Sequence, residues 1–252
     1  MGLPLQLNGT MSQPTQDSCL NRLLRSLNPD DFCLLRPHLE LVVLSLSDVL
    51  ITADTPITQV AFVERGIVSL VSVAADGQQV EVGLVGCEGM VGVPILLDAE
   101  RTPDEARVQA IGLAQVIPVS AFSEALRSSP RLHNHLLRYA HVLSVLATST
   151  ALANGRYTLE PRLARWLLMV HDRTESDELP TTHRFLSLML GVNRPGLTGA
   201  ISVLERSGVI GRQRGTLIVR DRAALLALAG PSYGAPEAEY ERLFTGPAPG
   251  VS

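Results

Sequence analysis

Between residues 41 and 118 the apolar positions come in short runs, rich in Val, Ile and Leu, at 41–46, 49–51, 60–63, 67–73, 80–85, 106–111 and 113–117. Runs of this kind, bounded by turn residues, predict strands. Asp76-Gly77 falls between two of them and is a tight-hairpin signal, because both central positions of that turn need positive φ. Gly66, Gly83, Gly86, Gly89, Gly92 and Gly112 stand near run ends, where a β-roll turns its corners. Many short strands with glycine turns predict a sandwich or jelly-roll barrel.

The period then changes to helical. Upstream of the strands, Asn28-Pro29-Asp30-Asp31 reads as a helix start, with acids favouring the first turn. Downstream, Ser129-Pro130 pairs an N-cap with a proline suited to the first helical position. Leu132, Leu136, Tyr139, Leu143, Leu146, Thr150 and Ala153 follow at alternating spacings of 4 and 3, the seam of a helix packed against a parallel copy of itself. The same spacing would serve a helix lying on its own β-roll. A second small or apolar face, formed by Leu137, Ala140, Ser144, Ala147 and Ala151, favours the dimer. A further helix is predicted over 159–171, with Leu163, Trp166, Leu167 and Val170 inward. Residues 1–18 read as a flexible leader and 231–252 as a weakly structured tail in which 238–244 form at most a short helix.

Residues 179–221 carry the densest signal. Thr182 can cap a helix over 183–190, Gly191 breaks it, Asn193 caps a second helix over 194–206, and Gly208 ends that one. In the helix-turn-helix template, Ser187 faces Ala200 where the helices cross, Gly191 takes the turn position needing positive φ, and Leu186, Leu190, Val192, Leu197, Ile201 and Leu204 share a core. Two short strands joined by Arg212-Gln213-Arg214-Gly215 follow as a wing. With the core face buried, the second helix presents Arg194, Pro195, Thr198, Gly199, Ser202 and Arg206. Arg194 can reach a guanine edge, while Arg212, Arg214 and the helix start at Thr182 and His183 hold phosphates.

Composition sharpens this picture. The chain has 252 residues and a net charge of −4, and all 21 basic residues are arginine. The charge is segregated: residues 1–125 carry 6 Arg against 15 acids, whereas residues 179–222 carry 7 against 2. A basic C-terminal third suits nucleic acid despite the acidic mean. Cys19, Cys33 and Cys87 lack the paired spacing of a zinc site or disulfide framework and read as reduced thiols, hence a cytoplasmic protein. No signal peptide is read at the start. The longest uncharged stretch, 139–155, is too short and too polar for a membrane span.

Four segments together resemble the Crp/Fnr superfamily of bacterial transcription regulators: Glu160-Pro161-Arg162-Leu163-Ala164-Arg165-Trp166, Thr182-His183-Arg184-Phe185-Leu186, Leu190-Gly191-Val192-Asn193-Arg194-Pro195 and Arg214-Gly215-Thr216-Leu217-Ile218-Val219. The resemblance implies an α+β chain with an N-terminal jelly-roll β-barrel of cyclic-nucleotide-binding type (19–128), a dimerisation helix (129–155) and a C-terminal winged helix-turn-helix (156–230). It implies double-stranded DNA, a second copy of the chain and RNA polymerase as partners. The family's nucleotide pocket needs a Gly-Glu pair and an Arg-Ser or Arg-Thr pair. Here Gly92 is followed by Val93, and the second pair becomes Asp104-Glu105, two carboxylates facing a phosphate. Cyclic AMP is therefore not expected as effector, and Thr148 offers at most one hydroxyl from the long helix. Three cysteines cannot reproduce the iron–sulfur cluster of the oxygen-sensing branch, so no cofactor is expected. The usual Glu and second Arg of the reading helix are Pro195 and Gly199, so the operator does not carry over.

The competing class is an enzyme or metal- or sugar-binding roll, or a scaffold. Residues 41–118 contain no His, which removes the inward ligands a metal-dependent roll needs, and no nucleophile, base and orienter set is present.

Overall fold

Strands β1 (Glu40–Leu44), β2 (Val49–Ile51), β3 (Gln59–Val73), β4 (Gln79–Val85), β5 (Met90–Val91) and β6 (Asp104–Pro118) build one antiparallel sheet in a computed structural model that describes residues 13–174 and 176–245. Its order is β1-β6-β3-β4, with β2 added to β6 and β5 to β3. The sheet curls into a roll without closing as a barrel, so the expected jelly-roll barrel is corrected to an open roll. The runs expected to end at Gly66 and Gly112 continue through them, and β3 and β6 are each 15 residues long. Gly66 sits at φ +86° and a Cβ there would lie 2.6 Å from the Ala110 carbonyl oxygen, while one on Gly112 would overlap the carbonyl of Arg65. The two long strands therefore bend past each other at a pinch that no side chain can enter. Val42, Leu44, Val63, Val68, Ala106 and Val108 fill the roll with a purely apolar core.

Helices α1 (Arg22–Ser26) and α2 (Pro29–Leu35) precede the sheet, and α3 (Val119–Ser128) and α4 (Pro130–Arg156) follow it. Asn28 caps α2 as expected, accepting from the Asp30 amide. Ser129 caps α4 by accepting from the Leu132 amide at 3.2 Å, and its hydroxyl donates to Asp31 at 2.7 Å. Arg131 donates to the same carboxylate at 2.7 Å, which ties the start of α4 to α2. Of the leader, residues 1–12 lie outside the described residues, and Gln16–Ser18 form a single 3-10 turn.

The seam on α4 is used differently from its expected role. Leu132, Leu136, Tyr139, Leu146 and Ala153 are buried in the chain's own core, with Leu143 packed beside them and the Thr150 hydroxyl donating to the Leu146 carbonyl. Five of the seven are thus no free surface for a second copy, and Leu143 and Thr150 are half-buried. Each buried Leu contributes about 2 kcal/mol within the subunit. The helix is the one among the described residues long and apolar enough to cross a membrane, and its inner stripe sits in this core instead.

Beyond α4 come α5 (Leu159–His171), β7 (Glu178–Pro180), α6 (His183–Leu190), α7 (Arg194–Arg206), β8 (Ile210–Gln213), β9 (Thr216–Val219), α8 (Arg222–Ala229) and α9 (Ala235–Phe244). The expectation of a weakly structured tail is therefore corrected over 235–244, where α9 is a full helix packed on α4, and residues 246–252 lie outside the described residues. Tyr240 is buried and stacks on Phe244 at 4.6 Å, Phe244 meets the His135 ring edge-on at 5.2 Å, and Glu239 pairs with His141 at 2.8 Å. Pro236, Tyr240, Leu243 and Phe244 lie 4, 3 and 1 apart, the apolar stripe of a packed helix.

The two halves of the chain share one core, in which Ile67, Leu84 and Leu146 pack with Trp166 and the helices of the C-terminal half. At its centre Glu81 of β4 is 5% exposed and accepts from the Trp166 indole N–H at 3.0 Å, while its second oxygen has no partner among the described residues. Burial pushes this carboxyl up to about 8, against the opposing pull of Ser69, Trp166, Arg165 and Arg173. Below its unfolded value the group is protonated in both states and costs nothing. As pH rises above that value the unfolded chain releases the proton first, so stability falls until the folded carboxyl also ionises near 8. We expect the wild type to lose about 1 kcal/mol per pH unit from this group between pH 5 and 8. Urea unfolding followed by circular dichroism should show that slope in the wild type and its loss in Glu81→Gln; parallel pH profiles would refute it.

Candidate nucleic-acid interface

Each turn of the C-terminal half is set by a local rule. The Thr182 hydroxyl accepts from the Phe185 amide at 3.2 Å and opens α6, Gly191 at φ +60° closes it, and the Asn193 side chain accepts from the Gly196 amide at 2.8 Å to open α7. Leu186, Leu190, Leu197, Ala200, Ile201 and Leu204 are buried together, with Val192 packed against them. Ser187, expected to face Ala200, has a buried hydroxyl oxygen with no partner among the described residues. Arg162 of α5 donates to the Leu190 carbonyl and, at 3.0 Å, to Asn154 of α4, binding the end of α6 to the long helix.

Burial of one face of α7 exposes the other: Arg194, Pro195, Thr198, Gly199 and Arg206 are exposed and Ser202 is half-buried. Two of the polar groups are engaged within the helix. Thr198 donates to the Arg194 carbonyl at 2.9 Å, and Arg206 donates to the Ser202 carbonyl at 3.2 Å. His183 at the start of α6 lies with Nδ1 3.5 Å from the Thr198 hydroxyl, so the first turns of both helices meet there. The wing is the hairpin of β8 and β9, with Gly215 at φ +77° in its turn, and β7 adds a third strand beside β9. Sequence reasoning missed β7, whose signal is only the buried Leu179 between two exposed neighbours. Arg212 and Arg214 are both exposed, but Arg212 pairs with Glu205 of α7 at 3.4 Å, whereas Arg214 has no carboxylate partner among the described residues.

Two regions match known protein families: residues 41–129 match the cyclic nucleotide-binding domain, and residues 161–228 match the Crp-like helix-turn-helix domain. The chain belongs to the Crp/Fnr family of transcription regulators. It is a DNA-binding regulator in family terms, and that family is not one of enzymes. Similar solved structures include FixK2 from Bradyrhizobium japonicum (19% identity, TM-score 0.67, covering 76% of this chain and 98% of that one). A Crp/Fnr-family regulator from Thermus thermophilus gives 23% identity and TM-score 0.63 over 75% of this chain and 98% of that one. The c-di-GMP responsive global regulator CLP of Xanthomonas campestris gives 14% and 0.63 over 76% and 99%. At these identities the likeness speaks for the Crp/Fnr fold. No curated protein matches the sequence.

The positions of the family's nucleotide pocket hold other chemistry. Gly92, at φ +104°, leads into a 3-10 turn, and Val93 after it is buried in the apolar core under α4. On β6, Ala106 and Val108 point into the roll, so alternation puts Asp104 on their face and Glu105 on the opposite one, where it accepts from Arg107 at 2.5 Å. The expectation of two carboxylates facing one phosphate is thereby corrected to one. The Thr148 hydroxyl donates to the Ser144 carbonyl at 2.9 Å on the exposed side of α4. Among the described residues no group of three or more His, Cys, Asp or Glu is placed to hold a metal.

Gly199 sits in the middle of α7 with no atom within 4 Å of an added Cβ. Alanine is the better helix former, so Gly199→Ala should stabilise the protein by about 0.5–1 kcal/mol. Urea titration of both proteins checks this; a lower midpoint for the variant would show that the site is constrained.

Proposed function

We propose that the protein is a cytoplasmic, homodimeric regulator that reads a palindromic operator and takes no cyclic nucleotide. The observation that carries the DNA part is the exposed, carboxylate-free face of α7 beside the basic wing, in the most arginine-rich part of the chain. Arg194, exposed at the first position of α7, points its fork at base edges in the major groove. The amides at the start of α6, with Thr182 and His183, and the wing arginines hold phosphates. Pro195 and Gly199 bring no polar head to the groove, so the preference leans on Thr198, Ser202 and the bending of the DNA.

The dimer follows from what the fold leaves uncovered. With its inner stripe used within the subunit, α4 turns His141, Ser144, Thr148, Ala151 and Gly155 outward, again at spacings alternating between 3 and 4. Leu152 beside them is 54% exposed. A parallel copy packing along this outer stripe removes that apolar surface from water, and its small residues let the two helices approach closely. Of the second face read in the sequence, Ser144 and Ala151 lie on this stripe and Ala147 is exposed beside it, whereas Leu137 and Ala140 pack against the subunit's own core. Val93 in place of a ribose-binding carboxylate and Asp104 on the inner face of β6 support a roll that rejects a cyclic phosphate.

Selection of bound sequences from a random DNA pool should enrich a two-part motif with half-sites about one helical turn apart, and adding cyclic AMP should leave it unchanged. Arg194→Ala should flatten one position of each half-site, a loss of about 1–3 kcal/mol there. Arg214→Ala should weaken all sequences alike and shrink the salt slope by about one, with a smaller effect from the paired Arg212. An unenriched wild-type pool defeats the regulator reading.

Ser144→Glu with Ala151→Glu places like charges on the outer stripe, which should cost about 3 kcal/mol or more in a dimer and nothing in a subunit. Sedimentation should give a dimeric wild type and a folded, monomeric variant, whereas Leu146→Glu should unfold the subunit. A variant that keeps the wild-type mass rules out this stripe.

A further inference from the structure

A cavity of about 340 Å³ lies where β4, α4, the end of α5 and α9 meet. Its size is that of a small-molecule site. Leu84, Leu143 and Leu146 give it an apolar side, and Tyr139, Tyr233 and Tyr240 line it with aromatic rings. Tyr139 is nearly fully buried, and only glycine fits opposite its hydroxyl, since a Cβ on Gly89 would overlap it.

The charges around the cavity are mostly committed. Arg173 donates to Glu88 and to the Met169 carbonyl, each at 2.8 Å. Asp172 accepts from Arg222 at 2.6 Å and from the Tyr233 hydroxyl. Glu241 accepts from Thr245, and Arg22, the remaining lining cation, is exposed. Glu237 differs: its Oε2 is buried and has no hydrogen-bond partner among the described residues. A carboxylate oxygen held out of water calls for a donor, and a cationic donor serves it best. Tyrosine faces attract the same charge, and the leucines take an apolar body.

We propose that this cavity binds a small organic ammonium ion, its nitrogen donating to Glu237 Oε2 and its apolar body lying against Tyr139, Tyr240, Leu143 and Leu146. A metal ion would leave the aromatic and leucine walls without a partner. An anion would meet four lining carboxylates, Glu88, Asp172, Glu237 and Glu241, against two arginines, of which Arg173 is held by Glu88 and attracted by Glu237 as well. The site joins a strand of the roll to the helix that leads into the DNA-binding half, so an occupant bears on how the two are held. That last consequence rests on the regulator reading; binding does not.

The test uses the full chain without DNA and two probes that share a body and differ in charge, tryptamine and indole-3-propionate. Calorimetry should show saturable binding of tryptamine, no saturable binding of indole-3-propionate, and tryptamine affinity lowered about tenfold or more in Glu237→Gln. The substitution keeps size and shape, and an unchanged thermal midpoint shows that the loss is not unfolding. No saturable heat from tryptamine, equal binding of both probes, or equal affinity in Glu237→Gln each overturns the proposal. The footprint in DNA selection is measured separately, so failure of the regulator reading and failure of this site are told apart.

Discussion

A 27-residue helix with a long uncharged stretch needs cover from water, and α4 finds it for one stripe within the subunit. Its inner stripe is buried by the roll, by α3 and by α9. Its N-terminus is fixed by Ser129 and Arg131 on Asp31, and its C-terminal part is held by Arg162 through Asn154. The roll, the DNA-binding half and the tail helix all pack on it. Any shift of α4 along its axis would have to be shared by elements that also meet in the core around Trp166 and at the Arg173–Glu88 pair.

What was legible in the sequence were features set by neighbours a few residues apart. Thr182, Gly191, Asn193 and Ser129 each act within one helical turn, and a cap or a positive-φ glycine leaves the same mark wherever the helix lies. The alternation of 4 and 3 along α4 was equally legible as a stripe, but periodicity says that a face is covered and not by what, and the stripe read as a dimer seam is largely buried within the subunit. The open roll and the Asp104-Glu105 reading depend on longer reach. Whether a sheet closes is decided by strand pairing across many residues, and the face of Glu105 follows from its register with Val71 and its ion pair with Arg107. Glu81 was invisible as a special residue, because its isolation comes from Trp166, 85 positions away.

The candidate interface is economical. Its second helix has one exposed arginine at its start and, farther along, small or non-polar residues where a reading helix commonly carries polar heads. Arg212 is held by Glu205, which fixes the wing strand to the back of α7 and leaves Arg214 at the tip. On the proposed function, such a surface separates holding from reading: one cation per subunit discriminates bases, and the rest follows the shape of the double helix. On that same reading the geometry of a dimer matters more than any single contact, since shape is sensed only when both halves are held at a fixed distance.

Trp166 is the sole tryptophan of the chain, and its indole N–H is fastened to a carboxyl from the opposite half. Its emission therefore comes from one place, the junction, with no background from elsewhere in the subunit. Hydration of the indole shifts its spectrum to the red, so any event that parts the roll from the DNA-binding half is recorded in the colour of its light. The molecule needs no attached dye for this junction to be watched in real time.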